Sequence, residues 1–331
     1  MGNIWRGLND YQLKVAINQI TGLNPLFDFV KGNRDYCIEI RDGYLCVYYK
    51  GGRILKISVS SIDYSFNFDI KYLNKRGATR NERVCKDDAL RIWIEGKHSM
   101  TEWLAKFDVL KKMMDEWFIE NPKEERDVQQ RLLALNTFQN AGCQIVDIEL
   151  AVPQELIPAG CNIRAKDYGR FDLIAVRCDG GKFVPIIIEL KNGVNAFGTA
   201  SESKDTFDNS SGLVGHYNKI GSFLTEERNR KFLGDCITHI LQAKKEFGLI
   251  TYDILPVETE TVDVIFAVTN FNPDMDADAK KKARTEYKKL ATKWEKDKSN
   301  RSFMTLFAQH STSSGLSFQN AVPLDKYELC R

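Results

Sequence analysis

Two apolar runs closed by a glycine turn constrain this chain more than any other stretch: Arg170–Arg177 and Phe183–Lys191, on either side of Asp179-Gly180-Gly181-Lys182. Both runs are rich in β-branched residues, and the Gly-Gly pair supplies the positive φ values that a two-residue hairpin turn demands. With Gly180 and Gly181 at the centre of the turn, Asp179 faces Lys182. Counting outward along both strands, Asp172 faces Glu189. Pro185 lacks an amide proton, so its nitrogen must face away from a ladder partner or sit at a bulge.

Directly opposed residues of a hairpin have Cβ atoms about 5 Å apart, and two like charges there are destabilising unless a positive group lies between them. Side chains alternate along a strand, so Lys191 shares the face of Glu189, while Leu190 points away and leaves its carbonyl near the strand end. Two carboxylates, a carbonyl and an ammonium group therefore converge. Hard oxygen donors of this kind suit Mg²⁺, or Mn²⁺, rather than zinc, and they leave coordination positions for water and a phosphate oxygen.

The order Gly-Arg-Phe-Asp, an apolar hairpin, then Ile-Glu-Leu-Lys resembles the PD-(D/E)xK nuclease superfamily at Asp172, Glu189 and Lys191. Phe171 stands where the family's name has proline. The resemblance runs from about Lys123 to Arg331 and implies a restriction-endonuclease-like core, a mixed sheet flanked by helices. It implies metal-dependent hydrolysis of phosphodiester bonds, in DNA in preference to RNA, in restriction, defence or repair. Asp172, Glu189 and the Leu190 carbonyl would hold the metal, and Lys191 would orient the attacking water. The resemblance further implies an acidic or amide group from the helix before the sheet, where Glu125 is the candidate and Gln129 shares its face. From the helix after the sheet it implies a polar residue and a tyrosine, with His216, Tyr217 and Lys219 as candidates. Because fold does not settle function, the alternative is a catalytically silent module of this fold that binds nucleic acid or a protein partner.

A length of 331 residues accommodates two domains, and 43% hydrophobic with 28% charged residues is the balance of a globular protein with a sizeable core. No apolar run reaches the length of a membrane span and the N-terminus lacks a signal-peptide core, so the expectation is a cytoplasmic protein without a membrane partner. The eight cysteines are scattered without a C-x-x-C pair and read as reduced, mostly buried thiols. A formal charge of +2 selects no partner by itself, although a near-neutral total is compatible with a local basic surface. A homodimer is left open.

Along the chain, apolar spacing from Leu8 to Ile20 predicts a helix ending near Gly22, with Pro25 beyond it. Tyr36–Ile40, Tyr44–Tyr48 and Arg53–Ile57 read as a meander of strands. The basic, aperiodic segment 71–86 reads as a loop, with Lys75, Arg76 and Arg80 placed to meet phosphates. Arg91–Glu95 reads as a further strand, and Thr101 to Ile119 as one helix. Asn121-Pro122 breaks the pattern, which predicts an N-terminal α+β domain of unknown role over 1–120 and the nuclease-like α/β domain over 121–331.

The second part begins with a helix from Glu124 to about Gln139 and a strand over Gln144–Val152. After the hairpin and a long polar passage come helices near Leu213–Phe223 and Glu226–Phe247, a strand over Asp263–Thr269, a basic helix over Ala277–Asp297 and a last strand over Phe303–Gln309. Strands alternating with helices imply a mixed α/β sheet. On the basic helix, Lys281 and Lys288 are candidates for tracking a phosphate backbone.

Overall fold

The computed structural model describes residues 6–18, 22–74, 87–157, 170–193, 212–269, 277–297, 304–310, 315–316 and 322–323. The chain is a mixed α/β structure with two sheets. It divides into two compact units, residues 1–130 with 239–253, and 131–238 with 254–331.

The first unit carries helices α1 (Asp10–Ala16) and α2 (Asn24–Gly32) and a meander of β1 (Tyr36–Ile40), β2 (Tyr44–Tyr49), β3 (Gly52–Val59) and β4 (Tyr64–Asn67). All three pairings in this sheet are antiparallel. Helices α3 (Asp88–Glu95), α4 (Met100–Ala105), α5 (Phe107–Glu120) and α6 (Glu124–Leu135) follow. Its core gathers Phe27, Ile38, Val47, Leu55, Trp103, Leu110 and Met114, together with Ile240 and Phe247 from the returning segment. Phe247 stacks on Phe27 with ring centroids 4.2 Å apart.

Four expectations change here. The first helix ends at Ala16 rather than near Gly22, and Pro25, beyond it, opens α2, where a missing amide proton costs nothing. Arg91–Glu95 is helical, not extended: the Asp87 side chain accepts from the Leu90 amide at 2.8 Å, and Leu90 and Ile94, four apart, are the buried positions. The stretch 101–119 is two helices, the first opened by a capping box between Ser99 and Glu102 and closed at Lys106, which begins the second. The passage from the first unit to the second falls between Gln130 and Arg131, inside α6, rather than at Asn121-Pro122, and 239–253 belong to the first unit.

The second unit contains α7 (Phe138–Ala141), β5 (Gln144–Ala151), β6 (Arg170–Asp179), β7 (Lys182–Asn192), α8 (Leu213–Thr225), most of α9 (Glu227–Glu246), β8 (Asp263–Thr269), α10 (Ala277–Asp297), β9 (Met304–His310) and β10 (Val322–Pro323). The sheet order is β10-β9-β8-β7-β6-β5. Strands β5, β6 and β7 are antiparallel neighbours, β7–β8 and β8–β9 are parallel, and β10 is antiparallel to β9. The parallel pairs need crossovers, supplied by α8 with α9 and by α10. Strand β7 is central, and its residues from Phe183 to Lys191 are all buried, as expected for a strand covered on both faces.

The hairpin turn has positive φ at Gly180 (+55°) and Gly181 (+79°), a conformation that side chains with a Cβ adopt at a cost. This fixes the pairing of Asp179 with Lys182 and carries it unbroken through Val176–Pro185 to Leu173–Ile188. Pro185 causes no bulge. Two residues earlier, the Phe183 amide donates to the Pro256 carbonyl and its carbonyl accepts from the Glu258 amide, away from β6. By alternation the Pro185 nitrogen faces that side too, where the β8 ladder starts only at Ile186–Asp263.

Candidate active site

The site is built at the end of β7 beyond the last backbone pair with β6. One step past Leu173 and Ile188 stand Asp172 and Glu189. Here the Leu190 amide donates not to a main-chain carbonyl but to Oδ2 of Asp172, at 2.8 Å. In an extended residue the amide and carbonyl face the same side, so the Leu190 carbonyl also lies on the side of Asp172. The sheet alternation thus brings one carboxylate, one carbonyl and the Glu189 side chain to one place.

Glu189 is 1% exposed. Its Oε1 accepts from Lys191 Nζ at 2.7 Å and from His216 Nδ1 at 2.8 Å. Its Oε2 is buried and has no hydrogen-bond partner among the described residues. A buried carboxylate oxygen left without a donor is expensive, and native proteins rarely leave one without a reason. Both available donors are spent on the other oxygen.

The electrostatics follow from this arrangement. Burial is the largest single influence on Glu189 and opposes its charge, but His216 and then Lys191, through charge and hydrogen bonds, together outweigh it. The carboxyl is held well below its ordinary range. Lys219, one helical turn after His216, is half-buried near the same pair. Its ammonium is pushed to lower pKa first by burial; the pull of Glu189 in the opposite direction comes next, and the repulsion of Lys191 adds to burial.

Helix α8 delivers these groups because its apolar residues Leu213, Tyr217, Ile220, Phe223 and Leu224 are buried while His216 and Lys219 keep partial exposure. Phe223 meets Phe171 of β6 edge-on at 4.9 Å, and Tyr217 meets Trp294 of α10 edge-on at 6.3 Å. Tyr217 is fully buried, so its ring serves the packing of α8 on α10. On the other side of Asp172, Glu149 of β5 lies between the Ile148–Leu173 and Leu150–Phe171 pairs. It has φ of +53° and binds Arg170 at 3.1 Å. A residue other than glycine in that conformation is strained, and strain of this kind gathers at functional sites.

Of the residues named from sequence, Glu189 binds Lys191 and His216, Lys219 lies within electrostatic reach of Glu189 and Lys191, and Asp172 binds the amide of the neighbouring Leu190. Glu125, exposed, and Gln129, buried, lie on the part of α6 that belongs to the first unit. Lys281 and Lys288 are exposed on α10, and Lys75, Arg76 and Arg80 lie outside the described residues. Glu149 was missed, because a glutamate that adopts a positive φ inside a strand is indistinguishable in sequence from a solvent-facing strand residue. Among the described residues, Cys37, Cys46, Cys143 and Cys236 are buried and Cys178 is exposed, and none of them forms a disulfide.

Among the described residues no group of three or more His, Cys, Asp or Glu side chains is arranged to hold a metal ion by itself. The oxygen donors that the strand register sets on adjacent positions are two carboxylates, Asp172 and Glu189, and the Leu190 carbonyl. That set fits an Mg²⁺ or Mn²⁺ ion whose remaining positions go to water and a substrate oxygen, and the partnerless Oε2 of Glu189 is the donor such an ion would use. Among the described residues no helix is long and apolar enough to cross a membrane. Comparison with known proteins gives no match: no family model, no curated protein and no solved structure matches this chain.

Proposed function

We propose that this protein is a metal-dependent nuclease of the PD-(D/E)xK type, hydrolysing phosphodiester bonds in DNA in preference to RNA. The observation that carries the reading is the division of labour at Glu189: Lys191 and His216 share Oε1, and Oε2 is buried without a donor among the described residues. Asp172, Glu189 and the Leu190 carbonyl would hold the divalent cation. Bound there, such a cation polarises a phosphoryl oxygen and lowers the pKa of a coordinated water.

The chain's own groups have distinct tasks in this reading. Lys191 orients the attacking water and offsets the negative charge that grows at phosphorus. His216 fixes the rotamer of Glu189 through Oε1. Lys219 adds a second cation on the α8 side, where the phosphate is held. The order of helix α6, antiparallel β5-β6-β7, helices α8 and α9, then parallel β8 supports a restriction-endonuclease-like core.

A silent binding module is favoured by one feature, that Glu189, Lys191 and His216 already form a mutually satisfied cluster at Oε1. The experiment that separates the two is incubation of the protein with labelled duplex DNA, single-stranded DNA, RNA and supercoiled plasmid, in Mg²⁺, Mn²⁺ or chelator. The nuclease reading expects cutting that chelator abolishes. Retarded bands with every substrate intact in every metal would favour the silent module.

A further inference from the structure

Helix α10 is amphipathic in charge as well as hydropathy. Its described inward side is Glu286 and Leu290, both buried, with Trp294 against Tyr217 of α8. Lys281, Arg284 and Lys288 are exposed. At 3.6 residues per turn these three fall within about 60° of arc, on the side away from Leu290. Glu286 does not neutralise that side, because it is buried and its Oε1 is taken by Lys289 at 3.0 Å. The acidic residue described on the outer arc is Asp278, in the first turn, where the helix dipole favours it.

From Lys281 to Lys288 the helix rises about 10 Å. A nucleic-acid strand advances about 3.4 Å along its axis per phosphate, so the stripe matches roughly three successive phosphates. Position adds to spacing: α10 packs on α8, the helix that presents His216 and Lys219 to Glu189. We propose that the outer face of α10 is a track for the sugar-phosphate backbone of a polynucleotide, engaged by Lys281, Arg284 and Lys288 outside the catalytic cluster. The inference rests on the nuclease reading in taking a polynucleotide as the substrate, and it adds that the site is built for a long strand rather than a mononucleotide or small diester.

The test uses the full-length protein in chelator and measures anisotropy of a labelled DNA duplex as salt is raised. Beside wild type stand a triple variant, Lys281→Gln, Arg284→Gln and Lys288→Gln, and a charge-preserving one, Lys281→Arg with Lys288→Arg. Three lost phosphate contacts lower the log–log salt slope by about 2.7. The triple variant is expected to lose that slope, the charge-preserving variant to keep it, and both to hydrolyse bis(p-nitrophenyl) phosphate with Mn²⁺ at the wild-type rate. An unchanged slope in the triple variant overturns the track, as does equal competition by polyglutamate of matched charge. If wild type hydrolyses the small diester yet binds no duplex, the track fails and the nuclease reading stands. If the stripe carries duplex binding and no diester is cut, the nuclease reading fails and the track stands.

Discussion

His216 Nδ1 lies 2.8 Å from Glu189 Oε1, the same oxygen that Lys191 Nζ reaches at 2.7 Å. One oxygen of a buried carboxylate is therefore oriented twice, while the other has no hydrogen-bond partner among the described residues. In the proposed nuclease reading His216 acts through Glu189, as a positioning residue. His216→Ala is expected to weaken Mn²⁺ binding by about 10- to 100-fold, as loss of a group that orients a metal ligand commonly does. His216→Gln, which retains a donor, should recover part of it. Mn²⁺ titration followed by electron paramagnetic resonance reads both, and equal affinities in all three proteins would remove His216 from the account.

Acid should expose the Glu189 cluster as a stability term. The folded carboxyl titrates below its ordinary value of 4.5, so its contribution is fully present above that value and is lost as pH falls through the lower folded value. In chelator, urea midpoints of wild type are expected to fall further between neutral pH and the acid range than those of Glu189→Gln. Parallel curves for the two proteins would show that the cluster does not hold the carboxylate charged.

Lys219 should behave in the opposite sense. Burial works against its ammonium, so removing the charge relieves a cost of folding and, in the proposed nuclease reading, also removes a contact for the phosphate. Lys219→Met is expected to unfold at the wild-type temperature or above it, with KM for the cleaved DNA raised and kcat changed less. A variant that melts early with unchanged KM would make Lys219 a structural residue.

In the first unit, Lys244 Nζ meets Glu39 Oε1 at 3.1 Å, and both groups are buried. Lys244→Met removes that pairing from a carboxylate in the core that Arg41 approaches only to 3.8 Å. Breaking a buried pair in this way typically costs about 3 kcal/mol, whereas the double change Glu39→Gln with Lys244→Met should cost much less. Denaturant unfolding of the two variants decides it: equal losses would mean that the pair is not coupled.

The helical assignment of 88–95 has its own check. Asp87→Ala removes the cap on the Leu90 amide and should cost about 1 kcal/mol by chemical denaturation. No change would place the capping energy elsewhere.

How far the sequence reveals this structure depends on the range of the forces involved. Gly180-Gly181 and the apolar runs beside it are local, and they fix a register that carries Asp172, Glu189 and Lys191 to one end of β7 with no bulge at Pro185. The expectation for 91–95 failed because Ile92-Trp93-Ile94 is β-branched and aromatic as strands are, while the helical signal lies in Leu90, Ile94 and the cap at Asp87. The meeting of His216 with Glu189 is tertiary, set by how α8 packs, and no local pattern announces it. Nor does any pattern announce that 239–253 join the first unit, which rests on Phe247 against Phe27 and Lys244 against Glu39.

The central claim is that Glu189 and Lys191 form a metal-dependent phosphodiesterase site. It is tested most directly by the cleavage rate of one DNA substrate in Mg²⁺ by wild type, Glu189→Gln and Lys191→Ala, each first confirmed as folded by circular dichroism. The account predicts cutting by wild type and a loss of about 10²-fold or more in each variant, the scale expected for removing a group that stabilises a transition state. Cleavage at the wild-type rate by folded Lys191→Ala or Glu189→Gln would contradict it.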